Sequence, residues 1–268
     1  MTLLELGFMQ RALIACLAVC AVAPLVGTFV VQRRQSLIGD GLGHVAFAGV
    51  GAAYLFGVEP LLGALVLGVV GAVLLARRGR ARLEGDAALA LVFYGGIALG
   101  FAFLSQSGLG VNQVLGLLFG SPLNLTWPQT AAIVVLATTV LVVVVALYGQ
   151  LLALAFDEPA AQVSGVRTTW LATALTCVVA LIIVGGMYAI GILLVAAMMV
   201  VPVVAAAQLT SSYASTMGVA AAIGAFSAVT GLVVAFYADQ APGASIVIVA
   251  ICCYLLAAMV RGIRTRMA

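Results

Sequence analysis

The chain has 268 residues, 65% of them hydrophobic and only 7% charged, with a mean hydropathy of +1.31. A water-soluble domain carries about 25% charged residues, so this composition excludes a soluble globular protein and describes an all-α polytopic membrane protein. The net charge is +3, and all 11 basic residues are arginines in short clusters, which argues against a nucleic-acid surface.

A helical span needs about 20 apolar residues. The first predicted span covers residues 8–31 and is closed by Arg33 and Arg34. It runs too long, and carries Arg11, for a cleavable leader to be expected. The second covers 37–56, and Glu59 and Pro60 turn the chain into the third, which ends at Ala76. The segment 77–86, RRGRARLEGD, is the most charged in the chain and precedes a fourth span at 87–104. Residues 105–127 mix Gly, Gln, Asn, Ser and Pro with the run VLGLLFG and read as an outer connection holding a short helix. The fifth span covers 131–148 and is followed by a non-spanning segment, 151–167. A sixth span at 171–184 is expected to end in a tight turn at Gly185–Gly186, leading to a seventh at 188–207 that contains Pro202. An eighth at 217–237 and a ninth at 244–260 complete the count, about nine in all, with eight to ten compatible with the pattern. The whole of 1–268 reads as a single transmembrane domain.

With the N-terminus outside, Arg33, Arg34, Arg77, Arg78, Arg80, Arg82, Arg167, Arg261, Arg264 and Arg266 fall on the cytoplasmic side and only Arg11 does not. The positive-inside rule therefore supports this orientation and a cytoplasmic C-terminus. The five cysteines, Cys16, Cys20, Cys177, Cys252 and Cys253, are embedded in apolar sequence without a CxxC spacing, which argues against a disulfide framework; Cys16 and Cys20 share a helix face and read as small buried packing residues, with soft metal ligation as the alternative.

Asp40 and His44 are the chain's most informative pair. His44 is the single histidine, and Asp40 lies inside an apolar segment. Positions i and i+4 share a helix face, and ionisable groups at membrane depth usually line a pathway or face a partner. A carboxylate beside an imidazole can bind a zinc- or manganese-type ion; a hydrogen-bonded structural pair is the plain alternative. Counted from Arg34 at about 1.5 Å per residue, Asp40 would lie about 9 Å and His44 about 15 Å deep. Gly39, Gly41, Gly43, Gly49 and Gly51 surround the pair and permit close helix approach or space for an ion.

The sequence FDEPAAQVSGV, 156–166, reads as a short cytoplasmic helix with a docking role or that of an interfacial connector. Asp157 and Glu158 before Pro159 make a good start, and Gly165 a good stop. In the run GILLVAAMMVVPVVAAAQ, Pro202 permits a kink. No Walker A sequence and no HExxH occur, so neither ATP binding by a P-loop nor a zinc protease is expected of this chain.

Three of these stretches together carry a resemblance. RRQSLIGDGLGH resembles an Arg/Lys-x-x-Ser-x-x-Gly-Asp-x-x-x-His element, LALAFDEPAAQVSGV an Ala-Phe-Asp-x-x-x-Ala-x-x-x-Gly-Val segment, and GILLVAAMMVVPVVAAA a late Gly-x-Leu-Leu-Val run ending in Pro. The Phe-Gly-Ser in LLFGSPLNLTW fits the same pattern. All belong to the permease subunit of the zinc/manganese/iron type of ABC transporter. Gly43 and Ser164 depart from it, standing where Ser or Ala and where Leu are common.

The resemblance implies a non-enzymatic subunit of the bacterial inner membrane: the permease of an ATP-driven importer of zinc, manganese or iron ions. Its implied partners are a second copy of the chain, a cytoplasmic ABC ATPase dimer that uses the ATP, and an extracytoplasmic metal receptor; no covalently bound cofactor is implied. Asp40 and His44 match the metal-contacting positions, and two copies would supply four ligands if their second spans met. Phe156, Asp157, Glu158, Pro159, Ala160, Ala161, Gln162 and Gly165 match the ATPase coupling helix. The rival readings are a metal-chelate or vitamin importer, which would need no metal ligands, and a membrane enzyme using Asp40 and His44 as an acid–base pair, for which further polar groups are few.

Overall fold

The computed structural model describes residues 6–78, 85–108 and 111–267; of the arginine-rich segment, Arg80 and Arg82 lie outside the described residues. All regular structure within them is helical. In chain order the helices are α1 (Gly7–Gln32), α2 (Ile38–Phe56), α3 (Pro60–Arg78), α4 (Gly85–Gln106), α5 (Val111–Phe119), α6 (Trp127–Ala146), α7 (Tyr148–Phe156), α8 (Glu158–Val163), α9 (Thr168–Ile190), α10 (Ile192–Leu209), α11 (Tyr213–Ala238) and α12 (Pro242–Met267). Seven of them, α1, α3, α4, α6, α9, α11 and α12, are long and apolar enough to cross a bilayer. The other two predicted spans coincide with α2, which carries Asp40 and His44, and with α10, whose apolar stretch Leu194–Leu209 is short.

Local chemistry explains the ends. The connection at 105–127 holds the short α5 and a 3-10 turn, Pro122–Asn124, before Thr126 and Gln129 form a reciprocal capping box at the start of α6. Asp157 accepts from the Ala160 N–H at 2.9 Å and so opens α8. At its other end Val166 N–H donates to the Ala161 carbonyl and Gly165 N–H to that of Gln162, with Gly165 at φ 84, a Schellman termination.

α1 and α9 form the centre of the bundle. Phe29, Leu171, Ile182, Ile183, Met198 and Met199 are fully buried around them, and Cys16 and Cys20 lie in the same core. The two ends of the bundle are marked by contacts. At one, Arg33 reaches α7 and α8, and Arg261 donates to Gln208. At the other, Arg11 lies 5.8 Å from the centre of the Trp127 ring, and α5 meets the α9–α10 junction. Arg11 is thus segregated from Arg33 and Arg261, as the charge pattern predicts.

The expected turn at Gly185–Gly186 is not formed. α9 continues through both glycines, and Gly186 serves packing: a side chain there would press on Val195 and Val19 at 2.6 and 2.9 Å. The chain breaks instead at Gly191, whose φ of 92° disfavours any other residue and whose Cα faces the backbone at Phe119 and Gly120. α10 runs on through Pro202 without interruption.

Gly191→Ala is expected to destabilise the protein by about 1–3 kcal/mol through strain and backbone contact. Gly95→Ala, in helical α4 with nothing within 4 Å of the added carbon, is expected to be neutral or to gain up to about 1 kcal/mol. Thermal unfolding of the two variants in the same detergent, followed by size-exclusion chromatography, checks the contrast.

Candidate metal site and docking helix

α2 is the most enclosed polar-bearing helix. It packs against α3, α4, α9 and α10, and 13 of its 19 residues are buried. Glycines make this possible. A carbon on Gly39 would meet Met199 at 2.8 Å, one on Gly41 would meet Leu89 at 2.8 Å, and one on Gly43 would meet Ile192 at 3.0 Å. Gly43, a departure from the commoner Ser or Ala, therefore fits the close approach of α10.

Residues 33–37 are not helical but form a hydrogen-bonded turn, with Gln35 N–H donating to the Val30 carbonyl and Ile38 N–H to that of Gln35. Measured from Ile38, Asp40 sits about 3 Å and His44 about 9 Å along the helix axis.

Asp40 is half-buried in the first turn of α2, and His44 is 4% exposed one turn further. No hydrogen bond joins them, and His44 Nδ1 is buried without a hydrogen-bond partner. A histidine that only held helices together would spend that nitrogen on a carbonyl or carboxylate. The imidazole meets an aromatic edge instead: the Phe93 ring lies 4.3 Å from it, centroid to centroid, at 78°. Three residues along α4, a side chain on Gly96 would strike the His44 carbonyl carbon and oxygen at 2.6 and 2.7 Å. α4, which packs chiefly on α2, thus covers His44. Among the described residues no cluster of three or more His, Cys, Asp or Glu side chains occurs, so one chain offers Asp40 and His44 as a two-ligand set. Phe93 and Gly96 were not singled out in the sequence; aromatic and glycine residues in an apolar span carry no distinguishing signal of their own.

The second functional candidate is α8. Ala161 is buried, while Pro159, Ala160 and Gln162 are exposed and Val163 is 90% exposed. Phe156, just before it, is exposed and rests on the Tyr213 ring at 5.7 Å. Ser164 donates to the Ala160 carbonyl at 2.9 Å, so this departure from Leu serves the helix end. Glu158 pairs with Arg33 at 3.0 Å across 125 residues of chain, a contact that no local pattern could announce.

Comparison with known proteins places these features in context. The model of the ABC 3 transport family matches residues 5–261. The manganese transport system membrane protein MntC of Listeria innocua is 29% identical over 256 residues, covering 95% of this chain and 91% of that protein. The chelated iron transport system membrane protein YfeD of Yersinia pestis is 30% identical over 244 residues, covering 90% and 82%. The structure of PsaBC from Streptococcus pneumoniae in complex with Fab superposes with a TM-score of 0.87 at 27% identity, covering 95% of this chain and 92% of that one.

If α4 shields His44, Phe93→Ala should raise the rate at which diethylpyrocarbonate modifies this imidazole severalfold, and Gly96→Val should do so by holding α4 off α2. Because His44 is the chain's only histidine, mass spectrometry of its peptide reads the rate directly. An unchanged rate in both variants would mean that the imidazole is reached from another side.

Proposed function

This chain belongs to the ABC 3 transport family as the membrane permease of a metal-ion importer, and we propose that Asp40 and His44 form the site that holds the ion in transit. The permease is not an enzyme; it is a multi-pass protein of the bacterial cell membrane and works with an ATPase and a solute-binding receptor. The proposed assembly has two copies of this chain, two cytoplasmic ATPase subunits that hydrolyse ATP, and an extracytoplasmic receptor, with the N-terminus of each permease outside.

One observation carries the site assignment: a buried histidine with an unpartnered Nδ1, one helical turn from a half-buried carboxylate, on a helix whose glycines admit close neighbours. A lone buried nitrogen of this kind costs about 1–3 kcal/mol if nothing ever binds it. Coordination of a passing cation would repay that cost transiently. A site of few protein ligands suits permeation, because the ion must also leave. Imidazole favours zinc, whereas the carboxylate with added waters accepts manganese or ferrous iron. The relatives named for manganese and iron support the latter pair as cargo.

With α4 against α2, His44 is covered by Phe93, and α2 of a second copy would not reach the imidazole across that seam. Four-ligand coordination from two copies would therefore belong to a conformation in which α4 has separated from α2. The α8 segment, with the exposed Val163 and Phe156, would be the surface seated in the ATPase, and its movement would drive that separation.

Cells lacking the permease and complemented with Asp40→Asn or His44→Ala, at matched membrane abundance, should accumulate the cargo metal at least about tenfold more slowly, the factor that about 1.4 kcal/mol of lost binding gives. Accumulation of manganese, iron and zinc followed separately names the metal. Normal uptake of all three by both variants would leave the pair a purely structural role.

A further inference from the structure

The guanidinium of Arg33 is buried deeper than a surface cation needs to be, and neither metal contact nor ATPase docking uses it. Its side chain is only 13% exposed. Nη1 donates to the Leu154 carbonyl at 3.1 Å and Nη2 to Glu158 Oε2 at 3.0 Å. The first acceptor is a last-turn carbonyl of α7, which has no donor within its own helix, and the second belongs to the first residue of α8. One planar, charged fork therefore fastens both sides of the α7–α8 corner to the end of α1.

On the other side of the clamp the chain runs straight into the candidate metal site. Arg33 N–H donates to the Phe29 carbonyl at 3.1 Å, Arg34 N–H to that of Val31 at 3.0 Å, Gln35 N–H to that of Val30 at 3.0 Å, and Ile38 N–H to that of Gln35 at 2.9 Å. α2 starts at Ile38 and has Asp40 in its first turn. The backbone from Arg33 to Asp40 is thus braced by hydrogen bonds at successive steps, without a slack linker. Phe29, below the clamp, is wedged between the rings of Tyr148 and Tyr213 at 6.2 and 5.4 Å, so the end of α1 is itself held against α7 and α11.

We propose that the Arg33–Glu158 ion pair is the link through which displacement of α8 reaches α2, making both residues positioning residues for the Asp40–His44 site. This rests on the reading of α8 as the ATPase-docking helix. Its consequence is specific: breaking the pair should leave the ATPase attached and hydrolysing while its work no longer moves the metal.

The test uses the full transporter complex in liposomes, with metal-loaded receptor, manganese as the transported ion, and three readouts: ATPase retained on the permease, ATP hydrolysed, and manganese transported. Arg33→Ala is expected to retain the ATPase and to lower manganese transported per ATP about tenfold, the scale expected for losing a charge-assisted bond, and Glu158→Ala to lower that ratio by the same factor. The double variant should be no worse than the more affected single one, because both remove the same link. Should Arg33→Ala fail to assemble, Arg33→Gln carries the test, since it keeps a donor for the Leu154 carbonyl while removing the charge that pairs with Glu158. Unchanged transport per ATP in the single variants, or defects that multiply in the double, would overturn the proposal. Val163→Asp, on the exposed face of α8, separates the premise from the inference. Release of the ATPase by Val163→Asp with normal coupling in Arg33→Ala overturns the link alone, whereas full ATPase retention and coupling in Val163→Asp overturns the docking reading itself.

Discussion

The structure depends on the burial of α2. A helix carrying a carboxylate and an imidazole is placed among α3, α4, α9 and α10, where each ionisable group must find a partner, reach water or bear a desolvation cost. Close helix contacts, made at glycines where the backbones almost touch, set how tightly the neighbours close on it. The seam with α4 is the tightest point over the site, since Gly96 lies against the His44 backbone while Phe93 lies against its ring.

The candidate metal site and α8 lie at opposite ends of a short series of contacts. α8 presents small and apolar side chains outward, and its caps at Asp157 and Gly165 hold its six residues in a fixed shape despite a length at which an isolated helix would not persist. A rigid surface of this kind can transmit force, which a loop would dissipate. The contacts from it to Asp40 run through Arg33 and the turn after α1.

Much of this was legible in the sequence because it is local. Hydropathy located every long helix, and the Asp157–Pro159 start and Gly165 stop were written in residues whose capping chemistry acts within one turn. Asp40 and His44 stood out because ionisable groups are rare in an apolar run. What could not be read was set by tertiary contact. Gly185–Gly186 looks like a turn, but both lie within α9, with Gly186 spent on packing, and the break falls at Gly191, where the end of α5 abuts the chain. The cover of Phe93 over His44 and the Arg33–Glu158 pair join residues far apart in the chain, and no periodicity reports such partners.

The most direct measurement is spectroscopic and exploits the single histidine. Manganese is bound to the assembled transporter in which only the permease carries ¹⁵N-histidine, and the electron spin-echo modulation of the metal is recorded. The account predicts a ¹⁵N coupling from His44 that disappears in His44→Ala. A manganese ion that binds the complex, depends on Asp40, and shows no such coupling would contradict the assignment of His44 as a ligand.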